Sequence, residues 1–216
     1  MVGDHFNRCR GLANTNRYAG SIKLIERNVA GHSFYVCWFS KFLTYWENSK
    51  FKLIKVDTLK VYEMALAHDI VECVTGDIKS PVKSLSSTFR DSFKDFEKMV
   101  LETVIVKELP CGMQDEFLST LHEYEQRESY ESLIVKSADI LDNSLECLEE
   151  IRVGNKNYYE DNLRSNIKML FENGKVLKSV MYFLRYPANE LGLSVYYTES
   201  QMQELKSMDE FFKDYI

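Results

Sequence analysis

Little in this sequence interrupts a helix. It has three prolines and nine glycines, the two residues that most often break or end one, so long helical elements are expected. Long apolar runs are also missing. The longest, Phe34 to Phe39, is far too short to cross a bilayer. Met1-Val2-Gly3-Asp4-His5 shows no basic-then-apolar leader pattern. Cysteines are few and odd in number: Cys9, Cys37, Cys73, Cys111 and Cys147, widely spaced and without a CxxC pair. That excludes a disulfide framework or a cysteine-zinc cluster as the basis of the fold and points to small buried thiols in a reducing compartment. A cytoplasmic protein with no membrane contact is expected.

What is present describes one globular unit. The 216 residues are 45% hydrophobic and 28% charged, enough to bury one sizeable core, and a single domain over 1–216 is expected. The net charge of −6 is uneven: residues 1–60 carry ten Lys/Arg against four Asp/Glu, and residues 61–216 carry 17 against 29. An acidic chain makes a poor partner for nucleic-acid polymers, which demand many phosphate contacts. The basic N-terminal third suits a small phosphorylated ligand, or is simply solvated surface charge.

Apolar periodicity predicts helices over most of the chain and an all-α fold. A first helix over 4–14 would turn Phe6, Cys9 and Ala13 inward. A second over 30–47 carries His32, Tyr35, Val36, Phe39 and Leu43 on its buried face. A third begins at Thr58, with Leu59, Tyr62, Ala65 and Leu66 apolar, and runs on to Gly76. Further helices are expected over 86–109 (core stripe Phe89, Phe93, Phe96, Val100, Val104), 114–126 and 129–153. The last three cover 158–174, 176–185 and 199–215, in a C-terminal part spanning 156–216.

The chemistry-bearing residues lie on these elements. His68 and Asp69 are adjacent, and Glu72 stands four and three positions later, so all three can face one site. An imidazole beside a carboxylate is half a divalent-metal site, and a second carboxylate one turn on can act as acid or base. The dipeptide alone is weak. His32 on its apolar face reads as a core histidine as readily as a ligand. Asp139, among Ala138, Leu141 and Leu145, is costly to bury unless a metal or an arginine compensates it. Arg17 and Tyr18 sit in a polar loop, where a guanidinium beside a ring can hold a phosphate next to a base or sugar.

Taken together, Asn16-Arg17-Tyr18, Gly31-His32-Ser33, the stretch His68-Asp69-Ile70-Val71-Glu72-Cys73-Val74-Thr75-Gly76-Asp77-Ile78-Lys79-Ser80-Pro81-Val82-Lys83 and Lys136-Ser137-Ala138-Asp139 resemble the HD-domain metal-dependent phosphohydrolases, and within them the bacterial 5′-deoxynucleotidases. The resemblance covers a motif-bearing core of about 17–150. It implies a helical HD bundle, one divalent metal (Co, Mn, Zn, Mg or Fe), a deoxynucleotide substrate and a homodimer. It implies His32, His68, Asp69 and Asp139 as metal ligands, Arg17 on the phosphate, Glu72 as acid or base, and Asp77 with Ile78, Lys79 and Ser80 at the sugar. Tyr18 and the half-site carboxylates Asp69 and Asp139 would also face substrate. Lys83 reads as a candidate for a further phosphate contact or as a solvated lysine. His5 and His122 fit no ligand position, in keeping with one metal rather than two. Tyr18 stands where these enzymes carry Trp, Gly31 where many carry Glu, and Lys79 where Pro is common. The implied reaction is removal of the 5′-phosphate from deoxynucleoside 5′-monophosphates. The alternatives are triphosphate removal from deoxynucleoside triphosphates on the same fold, and a non-catalytic nucleotide-binding protein.

Overall fold

A computed structural model describes residues 2–83 and 85–215, without the side chains of Ser80, Pro81 and Asn157. Its helices are α1 (Val2–Gly11), α2 (Val29–Tyr45), α3 (Thr58–Ala67), α4 (Glu72–Thr75), α5 (Ser80–Lys83), α6 (Ser87–Val100), α7 (Cys111–Gln126), α8 (Tyr130–Arg152), α9 (Asn157–Gly174), α10 (Lys178–Arg185), α11 (Pro187–Glu190), α12 (Glu199–Ser207) and α13 (Asp209–Phe212). Among the described residues the only β pairing is an isolated bridge between Asn16 and Asn28. The fold is all-α, and none of the described helices is long and apolar enough to cross a membrane.

The helix starts are written locally. Asn28 accepts from Gly31 N at 2.8 Å, Asp57 from Leu59 N at 3.0 Å and Ser129 from Ser132 N at 3.1 Å, each satisfying an amide that the first turn leaves free. Helix α8 is the central post, packed on α2, α3, α7 and α9. Its buried face, with Ile134, Ala138, Leu141 and Leu148, shares one core with Val36 and Leu43 of α2, Met64 and Ala65 of α3, and Leu163 and Ile167 of α9. A smaller core under α1 gathers Leu12, Ala67, Ile70, Leu101, Ile105 and Leu121. The site lies between the two.

Several expected faces differ. The helix expected to run to Gly76 ends at Ala67, because His68 Nδ1 donates at 2.8 Å to the Ala65 carbonyl, the acceptor that the Asp69 amide would use in a continued α-helix. The chain tightens instead into i→i−3 bonds, with Ile70 N to Ala67 O and Glu72 N to Asp69 O both 3.0 Å. The helix expected over 86–109 stops at Val100 and continues as a wide π turn, Leu101–Ile105, and a 3₁₀ turn, Val106–Glu108. There Phe93 and Val100 are buried, whereas Phe89 and Phe96 are exposed, since only one line of α6 meets the body. Phe6, Ala13, Tyr35, Leu59 and Leu66 are likewise exposed, and Val61 and Met64 fill the α3 core positions.

Candidate active site

Residues 15–28 form a loop cinched at its neck: Val29 N donates to Thr15 O at 2.9 Å and Arg17 N to Arg27 O at 3.1 Å. Helix α8 holds the loop from one side through carboxylates one turn apart. Glu150 accepts from Leu24 N (3.0 Å) and Ile25 N (2.8 Å), and Arg27 binds Glu149 at 2.7 Å and Glu150 at 3.2 Å. The loop thereby brings Arg17 and Tyr18 to the cleft wall, both almost wholly buried. Arg17 meets Glu146 through Nε (3.1 Å) and Nη2 (3.0 Å). Tyr18 takes a left-handed backbone, φ 56°, uncommon for a residue with a side chain. Its amide is fixed by Asp77 Oδ2 at 2.8 Å, and its hydroxyl donates to Glu146 Oε2 at 2.7 Å. Asp77 therefore ties the turn after α4 to the arginine loop.

Four donor atoms converge beside this loop. His32 Nε2 on α2 lies 3.3 Å from His68 Nε2, 3.3 Å from Asp139 Oδ1 of α8 and 3.5 Å from Asp69 Oδ2, and His68 Nε2 lies 3.2 Å from Asp69 Oδ2. The far side of each ring fixes its tautomer. His68 Nδ1 faces the Ala65 carbonyl, and His32 Nδ1 faces Asp142 Oδ2 at 2.6 Å, so both Nδ1 atoms carry protons. Each neutral ring then turns an Nε2 lone pair to the same point as two carboxylate oxygens. No arrangement of neutral rings pairs these four acceptors with one another; a divalent cation does, with a hard and borderline donor set that suits it. The residues fit a metal.

Electrostatics state the same demand. Burial and the Arg17 charge push the His32 imidazole down, yet its bonds to Asp139 and Asp142 outweigh them and raise it to about 9. Without a cation, His32 takes up a proton to supply the missing positive charge. Burial pushes Asp69 and Asp139 up, but His68 and His32 at Asp69, and Lys136 and His32 at Asp139, bring both below the usual carboxylate range. Lys136 Nζ sits 2.5 Å from Asp139 Oδ2. Glu72 behaves oppositely. Burial first, then the Asp69 and Asp77 charges, push it up to about 10, and its Oε2 has no hydrogen-bond partner among the described residues. Without a cation, Glu72 is a buried carboxyl pushed toward its neutral form.

Arg17, Tyr18, His68, Asp69, Glu72, Asp77 and Asp139 all line one cleft of about 1240 Å³. Ile78, Lys79 and Lys83 line it too, although Lys79 Nζ is held by Ser21 Oγ and Lys83 Nζ by Glu97 Oε1, at 2.8 and 2.9 Å. Ser80 opens α5, and its side chain lies outside the described residues. His32 stands behind the wall at the meeting point of the four donors. His5 lies against Cys9 and Phe117, whereas His122 of α7 lines the cleft without joining the four donors. Sequence reasoning missed Asp142, Asn143 and Glu146. Their signal was present in α8: Asp139, Asp142, Asn143, Glu146 and Glu150 recur at three- and four-residue steps, a polar stripe beside the apolar one of Ile134, Ala138, Leu141 and Leu148.

The geometry has relatives. The 5′-deoxynucleotidase YfbR-like family model matches residues 4–191. A 5′-deoxynucleotidase of Cronobacter sakazakii is 34% identical over 151 residues, 65% of this chain and 74% of that protein. An HD-domain phosphohydrolase of Listeria innocua superposes with a TM-score of 0.80 at 26% identity, covering 95% of this chain and 98% of that one. The cyanophage S-2L HD phosphohydrolase, solved with dA and one catalytic Zn²⁺, shares the fold at a TM-score of 0.58 and 14% identity, over 85% of this chain and 96% of that one. The chain belongs to the YfbR-like 5′-deoxynucleotidase family of HD-domain metal-dependent phosphohydrolases, and it is a hydrolase.

Proposed function

We propose that this enzyme removes the 5′-phosphate from deoxynucleoside 5′-monophosphates, using one divalent ion held by His32, His68, Asp69 and Asp139. The observation that carries the proposal is the meeting of those four donors beside a buried arginine and a buried carboxyl in one cleft. A divalent cation there supplies Lewis acidity toward a phosphoryl oxygen and lowers the pKa of a coordinated water. The chain's own residues do the rest. Asp142 and the Ala65 carbonyl keep both imidazoles in the liganding tautomer. Arg17 keeps Nη1 for a phosphate oxygen while Glu146 grips Nε and Nη2 and fixes the plane of the fork. Glu72, the buried carboxyl of the cleft with an unpartnered oxygen, is placed to exchange a proton with the reacting oxygens, giving one to the 5′-oxygen as the P–O bond breaks and recovering one from the water whose oxygen joins phosphorus. Asp77 keeps Tyr18 and the sugar-side turn in place.

A screen of ribo- and deoxynucleoside mono-, di- and triphosphates with several divalent metals, reading released phosphate or triphosphate, tests this reading. Release of phosphate from deoxy monophosphates supports it; release of triphosphate alone overturns it. One feature favours the triphosphatase as a second reading. The cleft continues along α6 past Arg90, Lys94 and Lys98, which could meet a longer phosphate chain, although Asp91 and Asp95 alternate with them.

We further infer a cytoplasmic homodimer. The five cysteines are unpaired, as a reducing compartment allows. On the outer face of α2, Phe34, Tyr35, Trp38, Phe42 and Tyr45 are 59, 51, 45, 50 and 60% exposed. Half-exposed rings of 150–250 Å² give roughly 500 Å² of aromatic surface, the apolar centre of a standard interface of about 800 Å² per subunit. Light scattering should give twice the chain mass, and Trp38→Glu should halve it.

A further inference from the structure

A chain of hydrogen bonds leads from α8 into the cleft, and its polarity is fixed at one end. The Glu146 carboxylate, gripped by Arg17, can only accept, so the Tyr18 hydroxyl spends its proton there at 2.7 Å. The Tyr18 oxygen must then accept, and Asn143 turns its Nδ2 toward it at 2.7 Å. Asn143 Oδ1 is left facing α9, where it accepts from Asn166 Nδ2 (2.5 Å) and Asn162 Nδ2 (3.0 Å). The second amide hydrogen of Asn162 goes to Cys147 Sγ at 3.2 Å. The α9 amides thus have three of their four N–H bonds drawn inward. Among the described residues neither Oδ1 accepts a bond, and both residues line the cleft.

The placement suits a base. Tyr158, Asn162, Asn166 and Met169 all line the cleft and follow one another at helical spacing, so one stripe of α9 forms its wall. Asn143 lies one turn beyond Asp139 on α8, a rise of about 6 Å, so the wall begins one nucleoside sugar's reach from the reacting phosphorus. Tyr158 adds a half-buried ring on which a base can stack.

We propose that this wall is the nucleobase subsite, and that Asn162 and Asn166 select bases bearing an exocyclic amine over their oxo counterparts. The proposal rests on the nucleotidase reading above. Two outward carbonyl oxygens accept from an amine, and the remaining Asn166 N–H donates to the ring nitrogen beside it. An oxo base sets carbonyl against carbonyl, which loses the bond and adds repulsion. The amides cannot turn over to accommodate it, because flipping either one breaks the chain that ends on Glu146.

The test compares kcat/KM for matched pairs: deoxyadenosine against deoxyinosine monophosphate, and deoxycytidine against deoxyuridine monophosphate. The wild-type enzyme should favour the amine-bearing member by roughly 10- to 100-fold, the size of one mispaired polar contact in a partly open site. Asn162→Leu and Asn166→Leu should each shrink that ratio several-fold, chiefly through KM. Wild-type ratios within about twofold of one would overturn the proposal even if the variants fail to fold. So would an unchanged ratio in the folded Leu variants, or a wall that responds to 3′-deoxy substrates instead of to the base, which would assign the acceptors to the sugar hydroxyl. Absence of turnover on every monophosphate would overturn the nucleotidase reading itself.

Discussion

Glu72→Gln should make the metal-free protein more stable, increasingly so as pH rises, while destroying turnover. Glu72 is buried, one of its oxygens has no partner, and its carboxyl is pushed from 4.5 to about 10. A folded-state pKa above the unfolded value contributes stability that is complete below the unfolded pKa and is lost as pH rises toward the folded one. The wild-type protein therefore loses about 1.4 kcal/mol per pH unit between about 4.5 and 10 through this group alone. At pH 7.5, three units above 4.5, the loss is about 4 kcal/mol. Gln is neutral in both states and escapes it. Its buried amide brings a pH-independent cost of its own, about 1–3 kcal/mol, so the slope against pH decides and the intercept does not. The assay is urea unfolding of both proteins in chelator at pH 5.5, 6.5, 7.5 and 8.5. The expected difference widens steadily in favour of the variant. With metal restored, the variant should bind the ion and lose roughly 10²- to 10⁴-fold in kcat, the range for a general acid. A stability difference that does not change with pH would mean that Glu72 is ionised in the fold, and the role given to it as a proton donor would fall.

Four further outcomes follow from the same geometry. Asp139→Asn and His68→Ala should each remove the bound metal and turnover with little change in helical content, read by metal analysis and circular dichroism; an active metal-free variant would refute the one-ion centre. Arg17→Lys, which keeps charge but loses the fork gripped by Glu146, should lower kcat/KM substantially, and Arg17→Ala should nearly abolish it, both at unchanged metal content. Asp142→Asn leaves His32 without its charged orienting partner and should weaken metal binding roughly 10- to 100-fold. In the wild type, binding should weaken as pH falls below about 9, where the ion must displace the His32 proton, and a titration calorimeter reads the released protons.

The local half of this site was legible because local spacing makes it. His68, Asp69 and Glu72 are brought together by a single turn, so no knowledge of the tertiary fold was needed to place them on one face. What was missed is the pairing across the fold. Arg17 and Glu146 are 129 positions apart, and His32 and Asp142 are 110 apart; the polar stripe of α8 marks Asp142 and Glu146, but nothing near either member says which residue it meets. The uneven charge shows what this costs. The basic N-terminal third suggested a surface for phosphorylated ligands, yet Arg27 is spent on Glu149 and Glu150, and Arg17 shares its charge with Glu146. Much of that excess serves to fasten a loop to the acidic end of α8. Periodicity failed in a related way on α2 and α6. Phe34, Trp38 and Phe42 recur as regularly as Val36, Leu43 and their neighbours, and spacing alone cannot say which apolar face meets the core and which stays exposed. Tyr18 gives the clearest instance. The resemblance implied that it faces substrate, but a left-handed backbone pinned by Asp77 turns its hydroxyl inward to Glu146 and Asn143. On the proposed base wall, Tyr18 acts through Asn143 and the amides it orients, because its hydroxyl proton is already given to Glu146.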